Sequence, residues 1–215
     1  MNKVAIVTGA SRGIGAATAL ELARRGYDLC INYIEQTARA EQTAAAAREY
    51  GVRCITHQAD VADADAVHAM HRRCVEELGE VTLLVNNAGI ARQQQFQDID
   101  AATWKRLFDV NLGGCFNCTQ AVLPHMLHEH AGSIVNVSSI AAITPIPFQT
   151  WYSVSKAAVR AYASALRGEV STFGIQIASI LPGDIRSGFT GSREKSCAGD
   201  DVYMGRISRS VAVME

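Results

Sequence analysis

The seven residues Gly9-Ala10-Ser11-Arg12-Gly13-Ile14-Gly15 follow a short β-branched run, Lys3 to Thr8, and lead straight into the helix-forming stretch Ala16 to Arg25. A strand that passes through a glycine turn into a helix leaves few folds open. Glycines let a pyrophosphate approach the backbone, and the helix N-terminus supplies unpaired N–H groups, so the unit is a candidate phosphate cradle. The spacing is G-x-x-x-G-x-G; Thr18 stands where G-x-G-x-x-G would place its last glycine. A plain strand-to-helix connection would look the same, so the turn decides nothing without a second signal.

Strand-like and helical runs alternate along the rest of the chain. Strands are expected at Val4–Thr8, Leu29–Asn32, Arg53–Gln58, Leu83–Asn86, Ser133–Ser138 and Ile175–Leu181. Helices are expected at Gly13–Arg25, Gln36–Tyr50, Asp63–Leu78, Ala101–His130 and Tyr152–Phe173, the fourth a short helix running into a longer one. Val67, Met70, Cys74 and Leu78 make an inward stripe on the third. Such alternation implies a parallel sheet, and strands that are continuously apolar suit a sheet covered on both sides. The expected fold is a doubly wound α/β sheet with helices on both faces, in one domain. Residues 1–187 are its dinucleotide-binding and catalytic body, and residues 188–215 a mobile substrate loop and C-terminal segment of the same domain.

With 215 residues, 48% hydrophobic and 19% charged, the chain can bury one substantial core. A net charge of −1 and scattered basic residues argue against a nucleic-acid partner. No stretch is apolar and long enough to span a membrane or serve as a signal segment, which points to the cytoplasm. The six cysteines are then expected as free thiols. Cys115-Phe116-Asn117-Cys118 invites a redox or zinc reading, but no second pair lies at ligand spacing. Phe108, Leu112, Cys115, Phe116 and Thr119 trace one helical stripe, so core cysteines are expected. His68/His71 and His125/His128 lack a third ligand and read as solvated helix faces, so no metal site is expected.

Tyr152 and Lys156 stand four residues apart on the last long helix, where i and i+4 share a face. A phenol held beside an ammonium forms its phenolate more easily and becomes a proton donor tuned for neutral pH. Ser139 lies thirteen residues before Tyr152 at a strand end. Ser138 is the alternative hydroxyl, but neighbours along a strand point oppositely.

Together, Thr8 to Gly15, Asp60-Val61, Asn86-Asn87-Ala88-Gly89, Asn111, Ser139, Tyr152-x-x-x-Lys156 and Pro182-Gly183 resemble the short-chain dehydrogenase/reductase family, from Lys3 to about Ser187. The resemblance implies that Tyr152 gives a proton to a substrate carbonyl while a nicotinamide delivers hydride to its carbon. Lys156 would assist Tyr152 and hydrogen-bond the nicotinamide ribose, Ser139 would hold the carbonyl oxygen, and Asn111 would hold a water that passes protons to the lysine. A plainer role for Asn111 is a polar residue that kinks its helix beside Gly113-Gly114. The cofactor would lie along Gly9, Ser11, Arg12, Gly13, Ile14 and Gly15, with Asn32 and Tyr33 beside the adenosine ribose and Asp60 and Val61 beside the adenine. Asn87, Ala88 and Gly89 would line a ribose, although Asn87 could equally tie strands together. Pro182, Gly183, Ile185 and Ser187 would border the nicotinamide, with Ser187 in place of the usual threonine.

An acidic residue at the end of the second strand repels a 2′-phosphate, and this chain has Asn32-Tyr33 there with Arg12 in the turn. NADP(H) is therefore favoured over NAD(H), with Glu35 close enough to keep NAD(H) open. The chain is most similar to 3-oxoacyl-carrier-protein reductases within the family. A hydroxysteroid, retinoid or sugar alcohol dehydrogenase is the alternative, and a non-catalytic nucleotide-binding fragment a third reading. The substrate wall is expected from Ile90 to Phe96, Ala141 to Trp151 and the loop after Gly183, and the substrate is a small carbonyl or alcohol. Family members continue into another helix and a last edge strand, and neither is evident here, so a truncated chain or a different edge is expected. The resemblance implies a homodimer through the helices after Asn111 and Tyr152, and no tetramer.

Overall fold

The computed structural model describes residues 3–183, 185, 194–195, 200, 204–206 and 208–209. Its centre is the strand β1 (Val4–Val7), whose four residues are all buried. Val4 and Ile6 enter one apolar cluster while Ala5 and Val7 enter another, so the period of two along a strand sends alternate side chains to opposite faces. Around it lie β2 (Asp28–Tyr33), β3 (Cys54–Gln58), β4 (Leu83–Asn86), β6 (Gly132–Val137) and β7 (Ile175–Ile180), after a short β5 (Arg92–Gln93) outside the main sheet. The sheet runs β3-β2-β1-β4-β6-β7, and all its neighbours pair in parallel. The chain builds outward from β1 to β3, then crosses back to lay β4 on the other side of β1. That reversal opens a crevice at the carboxyl ends of β1 and β4, where ligands of such sheets bind.

The helices α1 (Gly13–Arg24) and α2 (Thr37–Arg48) cover one face through Ala19, Ala23, Ala40, Ala44 and Ala47, small side chains that let the helices approach the sheet closely. The other face carries α3 (Ala64–Leu78), α5 (Gly114–Glu129) and α6 (Thr150–Val170), with α4 (Ala101–Phe108) leading into α5. The expected stripe of α3 is buried, and Asp63 caps the helix by accepting from the N–H groups of Asp65 and Ala66. On the α1/α2 side the cover stops short of β7, where Gln176, Ala178 and Ile180 are exposed while Ile175 and Ile177 are buried against α6. Among the described residues β7 is the edge of this sheet.

The expected stretch Ala101–His130 does divide into a short and a longer helix, joined by a π turn at Asp109–Gly113. A π turn inserts one residue into the helical register. Phe116, expected to face inward, is 51% exposed, while Cys115, Cys118, Thr119, Val122 and Met126 are buried. The stripe expectation was therefore wrong for Phe116 and right for the two cysteines as core residues. Two further residues, Glu194–Lys195, form β8 and pair in parallel with β5, a contact the sequence pattern did not announce. The remainder of the expected substrate loop and C-terminal segment lies mostly outside the described residues. Among the described residues no helix is long and apolar enough to cross a membrane, and no group of three or more His, Cys, Asp or Glu side chains could hold a metal ion.

Candidate active site

The turn between β1 and α1 is held open by side chains from three strands. Gly9 and Gly13 have φ of 62° and 60°, left-handed conformations that a side chain would strain. Asn32, 1% exposed at the end of β2, accepts from the Gly9 N–H at 3.2 Å and donates to the Ala59 carbonyl at 2.9 Å. Asn87 donates to the carbonyls of Thr8 and Gly9 at 2.8 and 3.1 Å. Thr8 Oγ1 in turn accepts from the N–H groups of Asn87 and Ala88. At Gly15 a Cβ would fall 2.6 Å from the Gly9 carbonyl oxygen and 2.5 Å from Asn87 Nδ2, so only glycine lets α1 start this close to β1. No side chain caps α1 and its first turn holds no acid, while Arg12 stands at the N-cap in extended conformation. Unpaired N–H groups, a cation and no competing carboxylate make a cradle that fits a phosphate.

Of the other expected cofactor residues, Tyr33 ends β2 and Asp60 and Val61 follow β3. Tyr33 is buried. Asp60 accepts from the Ala62 N–H and pairs with Arg106 at 2.8 Å, and the Val61 carbonyl accepts from Asn117. Ile185 lines a cavity of about 690 Å³ that runs along α1, with Gly13, Ile14, Ala17, Glu21, Arg25 and Tyr27. The Pro182 carbonyl accepts from the Ile140 N–H at 2.9 Å, and Gly183 is exposed. Ser187 lies outside the described residues.

Lys156 lies beside the Tyr152 ring and meets Asn111 at Gly89, after the end of β4, and Ser139 follows the end of β6. Ser138 Oγ donates to the Lys156 carbonyl, whereas Ser139 Oγ accepts from the Ala141 N–H, so the two hydroxyls have separate surroundings, as strand alternation requires. Lys156 is 4% exposed; its ammonium donates to the Val137 carbonyl at 2.9 Å and lies 5.9 Å from the Tyr152 ring centre. Burial lowers the Lys156 pKa, opposed weakly by Cys115. A Cβ on Gly89 would sit 3.3 Å from the Lys156 ammonium and 3.2 Å from Asn111 Oδ1, so the glycine lets both groups reach one point.

Asn111 is fully buried in the π turn. Its side chain accepts from the Ile90 N–H, and donates to the Ile90 carbonyl and to Ser155 Oγ. Ser155 Oγ donates to the Tyr152 carbonyl at 2.7 Å, which links the π turn to the first turn of α6. The Asn111 carbonyl accepts from Cys115 Sγ at 3.2 Å, and burial pushes that thiol up to about 11. Neither Ser155 nor Arg106 stood out in the sequence, because nothing local marks a serine inside an alanine-rich helix or an arginine on a helix face. Gln93, inside the expected substrate wall Ile90 to Phe96, is buried.

Similarity to known proteins agrees with this arrangement. The profile of the family described as short chain dehydrogenase matches residues 3–198. The 3-oxoacyl-[acyl-carrier-protein] reductase FabG of Staphylococcus aureus is 40% identical over 190 residues, 88% of this chain and 77% of its own length. Among solved structures, acetoin dehydrogenase YohF from Salmonella typhimurium is 33% identical with a TM-score of 0.83, over 87% of this chain and 74% of that one. An NAD+-bound xylitol dehydrogenase is 31% identical with a TM-score of 0.81, over 85% and 70%.

Proposed function

Since this chain belongs to the short-chain dehydrogenase/reductase family of oxidoreductases, we propose that it transfers hydride between NADP(H) and a carbonyl or secondary alcohol, with a 3-oxoacyl thioester as the leading substrate. The observation that carries this reading is Lys156, an ammonium buried beside the Tyr152 ring and hydrogen-bonded to the Val137 carbonyl. Folding tolerates a buried cation of this kind where function needs it.

In this mechanism Tyr152 donates its proton to the carbonyl oxygen as that oxygen gains charge, and Lys156 stabilises the phenolate left behind. Ser139 Oγ, held at the end of β6, orients the same oxygen. Asn111 keeps the π turn, Ile90 and Ser155 in place, so that α6 presents Tyr152 and Lys156 on one face. The turn Gly9–Gly15 with Arg12 would hold the cofactor phosphates, and Asp60, Val61, Asn87, Ala88, Gly89, Pro182, Gly183, Ile185 and Ser187 would line the rest of it. When bound, the nicotinamide supplies or takes up the hydride. NADP(H) is supported over NAD(H) by Asn32, which puts a carboxamide and no carboxylate at the end of β2, and by Arg12, which has no ion pair among the described residues.

Consumption of NADPH with a panel of ketones that includes an acetoacetyl thioester tests the reading. Turnover with the thioester is expected, and no turnover with any member of the panel would refute it. We place the enzyme in the cytoplasm and expect a homodimer through α5 and α6, where Phe116 and Val154 are exposed. Light scattering should give twice the 23.1 kDa chain mass, and a monomer at micromolar concentration would remove that interface.

A further inference from the structure

Both carboxylate oxygens of Asp60, just past β3, are engaged. Oδ1 accepts from the Ala62 N–H at 3.0 Å, and Oδ2 pairs with the Arg106 guanidinium on α4 at 2.8 Å. The Arg106 and Asp60 side chains are 45% and 31% exposed, and a pair this open to water adds little to stability. The same exposure leaves the carboxylate within reach of a ligand, and its oxygens have more acceptor sites than these two contacts use.

Its place in the fold indicates which ligand. Ala59, the residue before Asp60, is joined to the phosphate turn by one side chain: Asn32 donates to the Ala59 carbonyl at 2.9 Å and accepts from the Gly9 N–H at 3.2 Å. The strand order β3-β2-β1 puts Asp60 two strand spacings from that turn, roughly 10 Å. A nucleotide whose phosphate sits at Gly9–Gly15 spans that gap and brings the edge of its base to Asp60.

The segment from α4 to α5 grips this end of the crevice at three points. Arg106 holds Asp60, Asn117 donates to the Val61 carbonyl at 2.9 Å, and a Cβ on Gly114 would sit 2.6 Å from Val61 Cγ2. The same segment carries Asn111, which bonds to Ile90 and Ser155 beside the catalytic pair.

We propose that Arg106 is a positioning residue for the cofactor, fixing the Asp60 carboxylate so that it accepts from the exocyclic amine of the adenine. This rests on the reading above that sets Asp60 beside the adenine, and it makes α4 part of cofactor recognition. A carboxylate that rotates in water has to be ordered when the ligand binds, and Arg106 removes that cost in advance. A guanidinium suits the task because its donors are fixed in one plane.

Calorimetric titration with NADP+ and with 1,N6-etheno-NADP+, whose base has no amine hydrogen, tests this without turnover. Wild type should bind NADP+ about tenfold or more tighter than the etheno compound, the worth of a hydrogen bond to a charged group. In Arg106→Leu that preference should shrink to about threefold or less, with the loss falling on NADP+, and Arg106→Lys should recover part of it because an ammonium still pairs with the carboxylate. In an Asp60→Ala background Arg106→Leu should change the preference no further. The free Arg106→Leu protein should melt within about one or two degrees of wild type, since an exposed pair has been removed.

Equal losses for both ligands in Arg106→Leu overturn the proposal, because removing a cation beside a polyanion weakens every dinucleotide alike. A further loss of preference in the Asp60→Ala background also overturns it, since Arg106 would then touch the base itself. Wild type that binds dinucleotide with no preference for adenine sinks this inference alone. Wild type that binds neither NADP+ nor NAD+ sinks the cofactor reading together with it.

Discussion

Ser138 Oγ donates to the backbone carbonyl of Lys156 at 2.8 Å, so the end of β6 is tied to the second turn of α6 through a buried hydroxyl. One residue earlier on the strand, the Val137 carbonyl accepts from the Lys156 ammonium at 2.9 Å. The two bonds run in opposite directions between the same pair of elements. They set the depth at which α6 carries Tyr152 over the sheet, while the next residue, Ser139, accepts from the Ala141 N–H.

Tyr152→Phe removes the proposed proton donor and nothing else of the ring, which packs against Ala91, Leu107 and Ala141. Turnover should fall by ~10²–10⁴ while NADPH affinity stays near wild type. Steady-state rates and a cofactor titration measure the two quantities, and a variant as fast as wild type would exclude Tyr152 as the donor.

Arg12→Ala should weaken NADPH far more than NADH, because only NADPH offers a phosphate for a charge-assisted bond. The side chain makes no cap bond on α1, so the fold should not suffer. Fluorescence titration of both cofactors is the measurement, and equal losses would shift the discrimination to another residue.

Lys156 gives the protein a pH signature. Burial sets its pKa below the ordinary lysine value of 10.5. Between that lowered value and 10.5 the unfolded chain holds a proton that the folded chain has released, so stability from this group rises with pH in that window. Lys156→Met should lose turnover and should also lack this rise. Melting curves of the two proteins from pH 7 to 10 should therefore diverge in favour of wild type as pH increases, and parallel curves would contradict the buried-cation assignment.

Two glycines should respond oppositely to alanine. Gly15→Ala places a Cβ against the Gly9 carbonyl and Ala10 Cα at 2.6 and 2.9 Å, and should destabilise by about 1–3 kcal/mol. Gly168→Ala, on α6 with nothing within 4 Å of the new Cβ, should stabilise by about 0.5–1 kcal/mol. Denaturant midpoints report both, and a neutral Gly15→Ala would show that the turn can yield.

The sequence by itself determined the elements that local chemistry encodes. Continuous apolar runs gave the six strands, a 3.6-residue stripe gave α3, and glycines between a strand and a helix gave the turn at Gly9–Gly15. The spacing of Tyr152 and Lys156 put both on one helix, and strand parity separated Ser139 from Ser138. All of these are short-range properties, governed by backbone sterics and by the periods of helix and strand.

Tertiary structure alone decided what the polar side chains touch. Asn32 reads in sequence as a cofactor-selecting residue, and in the fold its carboxamide clamps Gly9 to Ala59. Asn111 spends its side chain on Ile90 and Ser155 from within a π turn. Gln93 is one of three consecutive glutamines, and only the fold shows that its amide is buried with no hydrogen-bond partner among the described residues. A hydrogen bond between residues 21 to 44 positions apart leaves no periodic trace in the chain, because its energy depends on where two surfaces meet rather than on any residue's neighbours.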